Sequence, residues 1–186
     1  KIYLIAGPTA SGKTDFAVKL SRILKGEIIN ADSMQVYKEL KILTARPTYK
    51  NKLLSKHHLY GFLNVNKKFS VGDWLKLVIK KINLVKSKKK IPIVVGGTGM
   101  YFNALINGLV KIPTIPKKIR TETIKLQKSI GQKKFFIKLL QLDPKIKNLV
   151  DQNDVQRSIR AYEVKKYTNK SLKDWFKNTK KNFEED

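Results

Sequence analysis

The sequence predicts an α/β fold, a parallel sheet flanked by helices and carrying a basic helical insertion. Three observations predict it. Strand-length segments at Ile2–Ala6, Glu27–Asn30 and Ile91–Val95 alternate with helical periodicity over the first 112 residues. Each of those segments ends in a glycine-rich or polar turn. Beyond Pro113 and Pro116 the character changes: Lys111 to Gln152 holds eleven Lys and Arg against three acids, and no convincing strand.

The first strand, Ile2-Tyr3-Leu4-Ile5-Ala6, runs directly into Gly7-Pro8-Thr9-Ala10-Ser11-Gly12-Lys13-Thr14. That stretch has the G-x-x-x-x-G-K-[ST] spacing of a phosphate-binding loop, and a helical pattern of Phe16, Ala17, Leu20, Ile23 and Leu24 follows it. The strand–loop–helix context separates a working loop from a chance match. Glycines let successive N–H groups turn inward toward an anion, and the helix dipole adds positive charge there. Lys13 supplies a mobile full charge, and the Thr14 hydroxyl can ligate Mg²⁺. The expected core is therefore a P-loop NTPase-like parallel sheet that binds a di- or triphosphate with Mg²⁺. The loop alone does not name the reaction.

The second strand, Glu27–Asn30, ends at Ala31-Asp32-Ser33. A helix is expected from Val71 to Lys86, opened by a Ser70/Asp73 capping box and facing inward with Val71, Trp74, Leu75, Val78, Ile82 and Val85. Ile91–Val95 is the next buried strand, closed by Gly96-Gly97-Thr98-Gly99, and Met100–Ile106 reads as helical. These elements make up a core over 1–112. Residues 113–152 read as an insertion of two or three basic amphipathic helices, with Phe135, Phe136, Leu139 and Leu140 as the inner face of one. Residues 153–186 read as helices returning toward the core. Asn153-Asp154 caps the first of them, with Val155, Ile159 and Tyr162 turned inward, and Arg157 and Arg160 lie one turn apart, able to converge on one target. A last helix follows Ser171, with Trp175 and Phe176, before an acidic tail.

Net charge is +26, which points to a polyanionic partner such as nucleic acid. Only five of the 40 basic residues are Arg, so a solvated lysine-rich surface is the competing explanation. The arginines carry more information, because their planar forks are hard to replace in bidentate phosphate contacts. The absence of cysteine excludes disulfides and thiolate chemistry. No apolar run approaches the ~18–20 residues of a membrane span, so no membrane partner is expected. The short N-terminal apolar segment reads as a core strand and not a signal peptide, which fits the cytoplasm.

In open α/β sheets ligands sit at the carboxyl ends of the strands. Three polar clusters end strands here: the loop Gly7–Thr14, Asp32-Ser33-Met34-Gln35, and Gly96–Gly99. All three could rim one crevice. Asp32 is the only acid among them. It can hold Mg²⁺ through water or act as a general base; a turn-capping aspartate is the alternative. Thr98 offers a hydroxyl between two glycines that permit close backbone approach. His57-His58 lacks an accompanying carboxylate cluster and reads as a loop or packing pair.

Six ordered segments then resemble one family: Gly7–Thr14, Ala31–Tyr37, Thr44–Thr48, His57-His58-Leu59, Gly96–Tyr101 and Asn153–Ala161. Together they look like tRNA dimethylallyltransferase, also called tRNA isopentenyltransferase. The resemblance implies transfer of a dimethylallyl group from dimethylallyl diphosphate to N6 of the adenosine just 3′ of the anticodon. It implies that Thr9–Thr14 hold the donor's diphosphate, with Asp32 as general base and Lys13 and Thr98 in the catalytic site. It places Asp32, Ser33, Met34, Gln35, Thr98, Arg120, Gln156, Arg157, Ser158, Ile159 and Arg160 against tRNA, with the basic insertion gripping the anticodon stem-loop. It implies Mg²⁺ as cofactor, held by Thr14 and by Asp32 through water, and a monomer. Arg46 stands where the family often has lysine, and Lys56 where proline is usual. The family continues well past the last residue here, so the chain is expected to be truncated at its C-terminal end. The alternatives are a prenyltransferase of free adenine nucleotides, which would not need the basic insertion, a P-loop small-molecule kinase, and a non-catalytic RNA-binding module.

Overall fold

The computed structural model describes residues 1–177, 179 and 181–183. The acidic tail at residues 184–186 lies outside the described residues. The chain divides into two compact units, Lys1–Gly108 with Lys181–Asp186, and Leu109–Lys180.

The first unit is built on four parallel strands: β1 (Tyr3–Ala6), β2 (Gly26–Asn30), β3 (His57–His58) and β4 (Ile91–Gly96), in the order β1-β4-β2-β3. Its helices are α1 (Lys13–Ile23), α2 (Tyr49–Leu54), α3 (Val71–Ser87) and α4 (Gly99–Asn107). The register aligns the strand ends. Ala6 pairs with Gly96, and Asn30 with Val95. Because the strands are parallel, the chain leaves β1, β4 and β2 at one edge of the sheet. This brings the three polar turns together.

Helix α1 covers one face with Ala17, Val18 and Ser21, against Ile28, Ile93 and Val95. Phe16 and Ile23, expected on its apolar face, are 58% and 77% exposed. The buried stripe centres one position later, and this short helix needs only small residues where it crosses the sheet. The expected capping box forms at Ser70 and Asp73, and α3 buries Trp74, Leu75, Val78, Ile82 and Val85. Trp74 stacks on Tyr101 of α4 at 4.2 Å between ring centroids, and its Nε1 donates to the Asn30 carbonyl.

His57-His58 forms a short edge strand rather than a loop, pairing with Ile28 and Ile29. A buried charge network explains the packing role. Glu27 of β2 is 1% exposed and accepts from His58 Nε2 at 2.7 Å and from Lys90 Nζ at 2.8 Å. Burial alone would raise the Glu27 pKa, but the hydrogen bonds from Lys90 and His58 outweigh it and hold the carboxyl at about 2.

The second unit contains α5 (Lys117–Ile130), α6 (Gln132–Leu142), a 3₁₀ turn at Pro144–Ile146, α7 (Val155–Thr168) and α8 (Leu172–Phe176). Its core is Phe135, Phe136, Leu139, Ile146, Ile159, Ala161, Tyr162 and Val164. Leu140 is half-buried beside it. Asp154 caps α7 by accepting from the Arg157 N–H at 2.9 Å, and Ser171 caps α8. Helix α7 shares its core with α5 and α6, so the division along the chain falls after Gly108 and groups residues 153–177 with the helices before them. Among the described residues no helix is long and apolar enough to cross a membrane.

Candidate active site

The phosphate-binding loop takes its shape from two left-handed residues, Ala10 at φ 63° and Gly12 at φ 75°. Gly12 is the N-cap of α1 and has no side chain with which to cap it. The first-turn N–H groups of α1 thus lack both intrahelical acceptors and a side-chain cap, and they are available to an anion. The Gly7 N–H donates to the Gly96 carbonyl at 3.3 Å, tying the loop to the end of β4. Ser11 Oγ donates to the Pro8 carbonyl at 2.9 Å. Lys13 Nζ folds back onto that carbonyl and lies 3.3 Å from Ser11 Oγ. The ammonium is held over its own loop by contacts that a phosphate oxygen can replace.

Asp32 follows β2 and is fixed by Asn30. The Asn30 side chain is fully buried; its Nδ2 donates to the carbonyls of Asp32 at 2.9 Å and Leu59 at 3.1 Å, while its Oδ1 accepts from the Asp32 N–H. Asp32 Oδ1 accepts from the N–H groups of Met34 at 2.9 Å and Gln35 at 3.4 Å. The turn-capping role is therefore real. It occupies one carboxylate oxygen and leaves Oδ2 on the side of Gly97, within 3.7 Å of where a Cβ there would stand. Gly96 is required by space: a Cβ would lie 2.1 Å from the Ala31 carbonyl oxygen.

Thr98 ties the third turn to the second. Its Oγ1 accepts from the Ser33 N–H at 2.9 Å and donates to Ser33 Oγ at 3.3 Å. Its hydroxyl is thus committed to shaping the Asp32 turn. Gln35 Nε2 donates to the Thr44 carbonyl at 2.8 Å, which anchors the following loop.

The phosphate loop and the Asp32 turn border a cavity of about 300 Å³, and Ser33, Met34 and Thr98 are not among the residues that line it. The loop from Thr9 to Thr14 lines it together with Asp32 and Gln35. Sequence reasoning missed four further lining residues, Asp15, Ala45, Tyr60 and Val95. Burial, and then the charge of Asp32, raises the Tyr60 phenol above its ordinary range. Tyr60 follows the strand β3, which the sequence pattern did not reveal. The only local hint of Asn30 was a polar residue closing an apolar strand. Neither histidine lines the cavity.

The expected residues of the second unit separate by burial. Gln156 and Arg157 are exposed, whereas Ser158 and Ile159 face inward into the core. Ser158 Oγ accepts from Gln132 Nε2 at 3.1 Å. Arg157 and Arg160 do not converge. Arg157 Nη1 lies 3.5 Å from Asp154, while Arg160 Nη1 donates to Glu163 Oε1 at 2.8 Å. Arg120 meets that same glutamate at 3.2 Å. A three-residue step on a helix lets each arginine pick the acid one turn away.

Known proteins carry the same pattern. The family model described as IPP transferase matches residues 35–185. A tRNA dimethylallyltransferase of Pelagibacter ubique is 64% identical over 98% of this chain and 58% of its own length. One of Rickettsia massiliae is 46% identical over 92% of this chain and 47% of its own. The chain thus spans about half the length of these curated relatives. Among solved structures, a eukaryotic dimethylallyltransferase acting on tRNA matches with TM-score 0.82 and 28% identity, over 96% of this chain and 44% of that one. The tRNA isopentenylpyrophosphate transferase of Bacillus halodurans matches with TM-score 0.60 and 36% identity, over 92% and 57%. A phosphate loop beside carboxylates is common to many enzymes, but the match over most of the sequence is not: the chain belongs to the IPP transferase family.

Proposed function

We propose that this protein transfers a dimethylallyl group from dimethylallyl diphosphate to N6 of the adenosine 3′ of the anticodon in tRNA, releasing diphosphate. The observation that carries the reading is the shared cavity: the phosphate loop and Asp32 line the same 300 Å³ space. The curated relatives named tRNA dimethylallyltransferase support it.

The reaction breaks the allylic C–O bond and forms a C–N bond. The leaving diphosphate sits on the α1 N-terminus, where the free N–H groups and the Lys13 ammonium stabilise its growing charge. The adenine amine is a weak nucleophile, because its lone pair is delocalised into the ring. Asp32 Oδ2, the oxygen not used by the turn, accepts the proton as the new bond forms. Asn30 and Thr98 hold the Asp32 turn in place. The base reaches the cavity only when extruded from its stack, which costs least in a single-stranded loop.

The donor set fits Mg²⁺. Thr14 and Asp32 line one cavity, and Mg²⁺ binds through few protein ligands, several waters and substrate phosphates. Mg²⁺ held by the Thr14 hydroxyl, and by Asp32 through water, would offset charge on the departing diphosphate. Gln35 would meet tRNA at the cavity, and Arg120, Gln156, Arg157 and Arg160 would do so on the basic second unit. The test incubates the protein with labelled dimethylallyl diphosphate and, separately, an anticodon stem-loop RNA, AMP, or ATP plus a hydroxyl acceptor. Label in the RNA is expected. Label in AMP alone, or ATP turnover without the prenyl donor, overturns the reading.

A further inference from the structure

The second unit buries a carboxylate that the proposed chemistry does not use. Glu163 of α7 is 0% exposed, yet two guanidinium groups reach it. Arg120 Nη1 donates to both of its oxygens at 3.2 Å, and Arg160 Nη1 to Oε1 at 2.8 Å. The two arginine side chains are themselves 51% and 42% exposed. The acid is inside and the two forks emerge from it.

Burying a carboxylate is expensive, and an apolar side chain of similar size would pack as well or better. A stability argument therefore does not explain why an acid stands here. Its geometry does. Glu163 engages each guanidinium through Nη1, which leaves Nε and Nη2 of both as donors. Two positive charges face one negative charge, so a net positive charge remains at the surface while the carboxylate stays shielded below it. Without Glu163 the two like charges would repel and their long side chains would sample many rotamers. The setting is strongly basic, with 19 Lys and Arg against six acids in residues 109–180. Arg157 provides the contrast: it is 72% exposed and makes only a 3.5 Å contact with Asp154.

We propose that Glu163 is a positioning residue that sets Arg120 and Arg160 as a paired fork for one phosphodiester of the RNA. This rests on the RNA reading of the second unit given above. A fixed pair of planar forks matches the oxygens of a phosphate, and such contacts position a nucleic acid without reading its sequence.

The test is a double-mutant cycle. Binding of an anticodon stem-loop RNA is measured by fluorescence anisotropy over a salt series for the chain, Arg120→Ala, Arg160→Ala, Glu163→Gln and the two double variants. Each arginine substitution is expected to weaken binding about fivefold or more and to lower the salt slope by about one. Glu163→Gln is expected to weaken binding comparably, and in its background the arginine substitutions cost less than about twofold. A Glu163→Gln variant that binds as well as the unmodified chain, or arginine costs equal in both backgrounds, overturns the proposal. A second measurement avoids dependence on the variant's folding. The chain has only five arginines, so their Nε–Hε NMR signals can be followed individually during titration with inorganic phosphate. Arg120 and Arg160 are expected to shift together with one dissociation constant while Arg22 stays still. Shifts no larger than that of Arg22 overturn the fork. If the pair takes phosphate but the chain does not bind the RNA, the RNA reading fails and the fork stands. If the RNA binds and the cycle is additive, the fork fails and the RNA reading stands.

Discussion

Acid should weaken the first unit in part through Glu27. Its folded-state pKa is about 2 against an ordinary 4.5. A depressed carboxyl pKa means that the folded state prefers the charged form. The stabilisation is therefore complete above pH ~4.5 and is lost as pH falls through ~2. At about 1.4 kcal/mol per unit, the gap corresponds to about 3 kcal/mol. Lys90 is 44% exposed, so solvent screens its share, and about 2 kcal/mol is the better expectation. The assay is urea denaturation from pH 7 to 2, with and without Glu27→Gln. A Trp175→Phe background leaves Trp74 as the only tryptophan, buried in α3 and bonded to β2, the strand that carries Glu27. At pH 6 the glutamine variant should be less stable by about 2 kcal/mol, and the difference should shrink between pH 5 and 2. A difference that stays constant, or widens toward low pH, would refute the linkage argument.

Other expectations follow from the same geometry. Asp32→Asn keeps an acceptor for the Met34 N–H but cannot take a proton, so turnover should fall about 10²–10⁴-fold while donor binding survives; steady-state kinetics with a donor-binding isotherm checks this, and normal turnover excludes Asp32 as the base. Gly96→Ala puts a methyl 2.1 Å from the Ala31 carbonyl oxygen, and thermal melts should show a loss of about 3 kcal/mol or more. Phe135→Ala empties the fully buried centre of the second unit and should cost about 3–5 kcal/mol there, read by hydrogen exchange of α6 and α7 amides. Arg157→Ala removes an exposed charge, so RNA affinity should fall with a salt slope shallower by about one; an unchanged slope removes Arg157 from the phosphate contacts.

The legible parts of this fold are those set by neighbours in sequence. The loop Gly7–Thr14 declares itself because glycines and a lysine must occupy fixed offsets to surround an anion. The Ser70/Asp73 cap and the inner face of α3 obey a helical repeat that can be counted. Asp32 stood out as the one acid at the strand ends, and its resemblance to a known family gave it a role. Other features depend on partners far away in the chain. The edge strand His57–His58 is too short to carry a pattern, and it forms because β2 offers it a partner. Thr98 reaches Ser33 across 65 positions, and Arg120 reaches Glu163 across 43. Helical spacing pointed to Arg157 and Arg160 as a pair, but the buried acid chose Arg120 and Arg160 instead.

By itself, the order of residues determined the parallel α/β core, the phosphate loop, the basic helices that follow and the family. The first three rest on local stereochemistry, periodicity and composition, and the family on a resemblance carried by six ordered segments; none of them needs knowledge of any contact. Only the tertiary structure decided that Asn30 and Thr98 clamp the Asp32 turn, that Tyr60 walls the cavity, and which arginines share a buried counter-charge. Each of those is a choice among many possible partners, and packing makes that choice when distant segments are brought within 3 to 4 Å of one another.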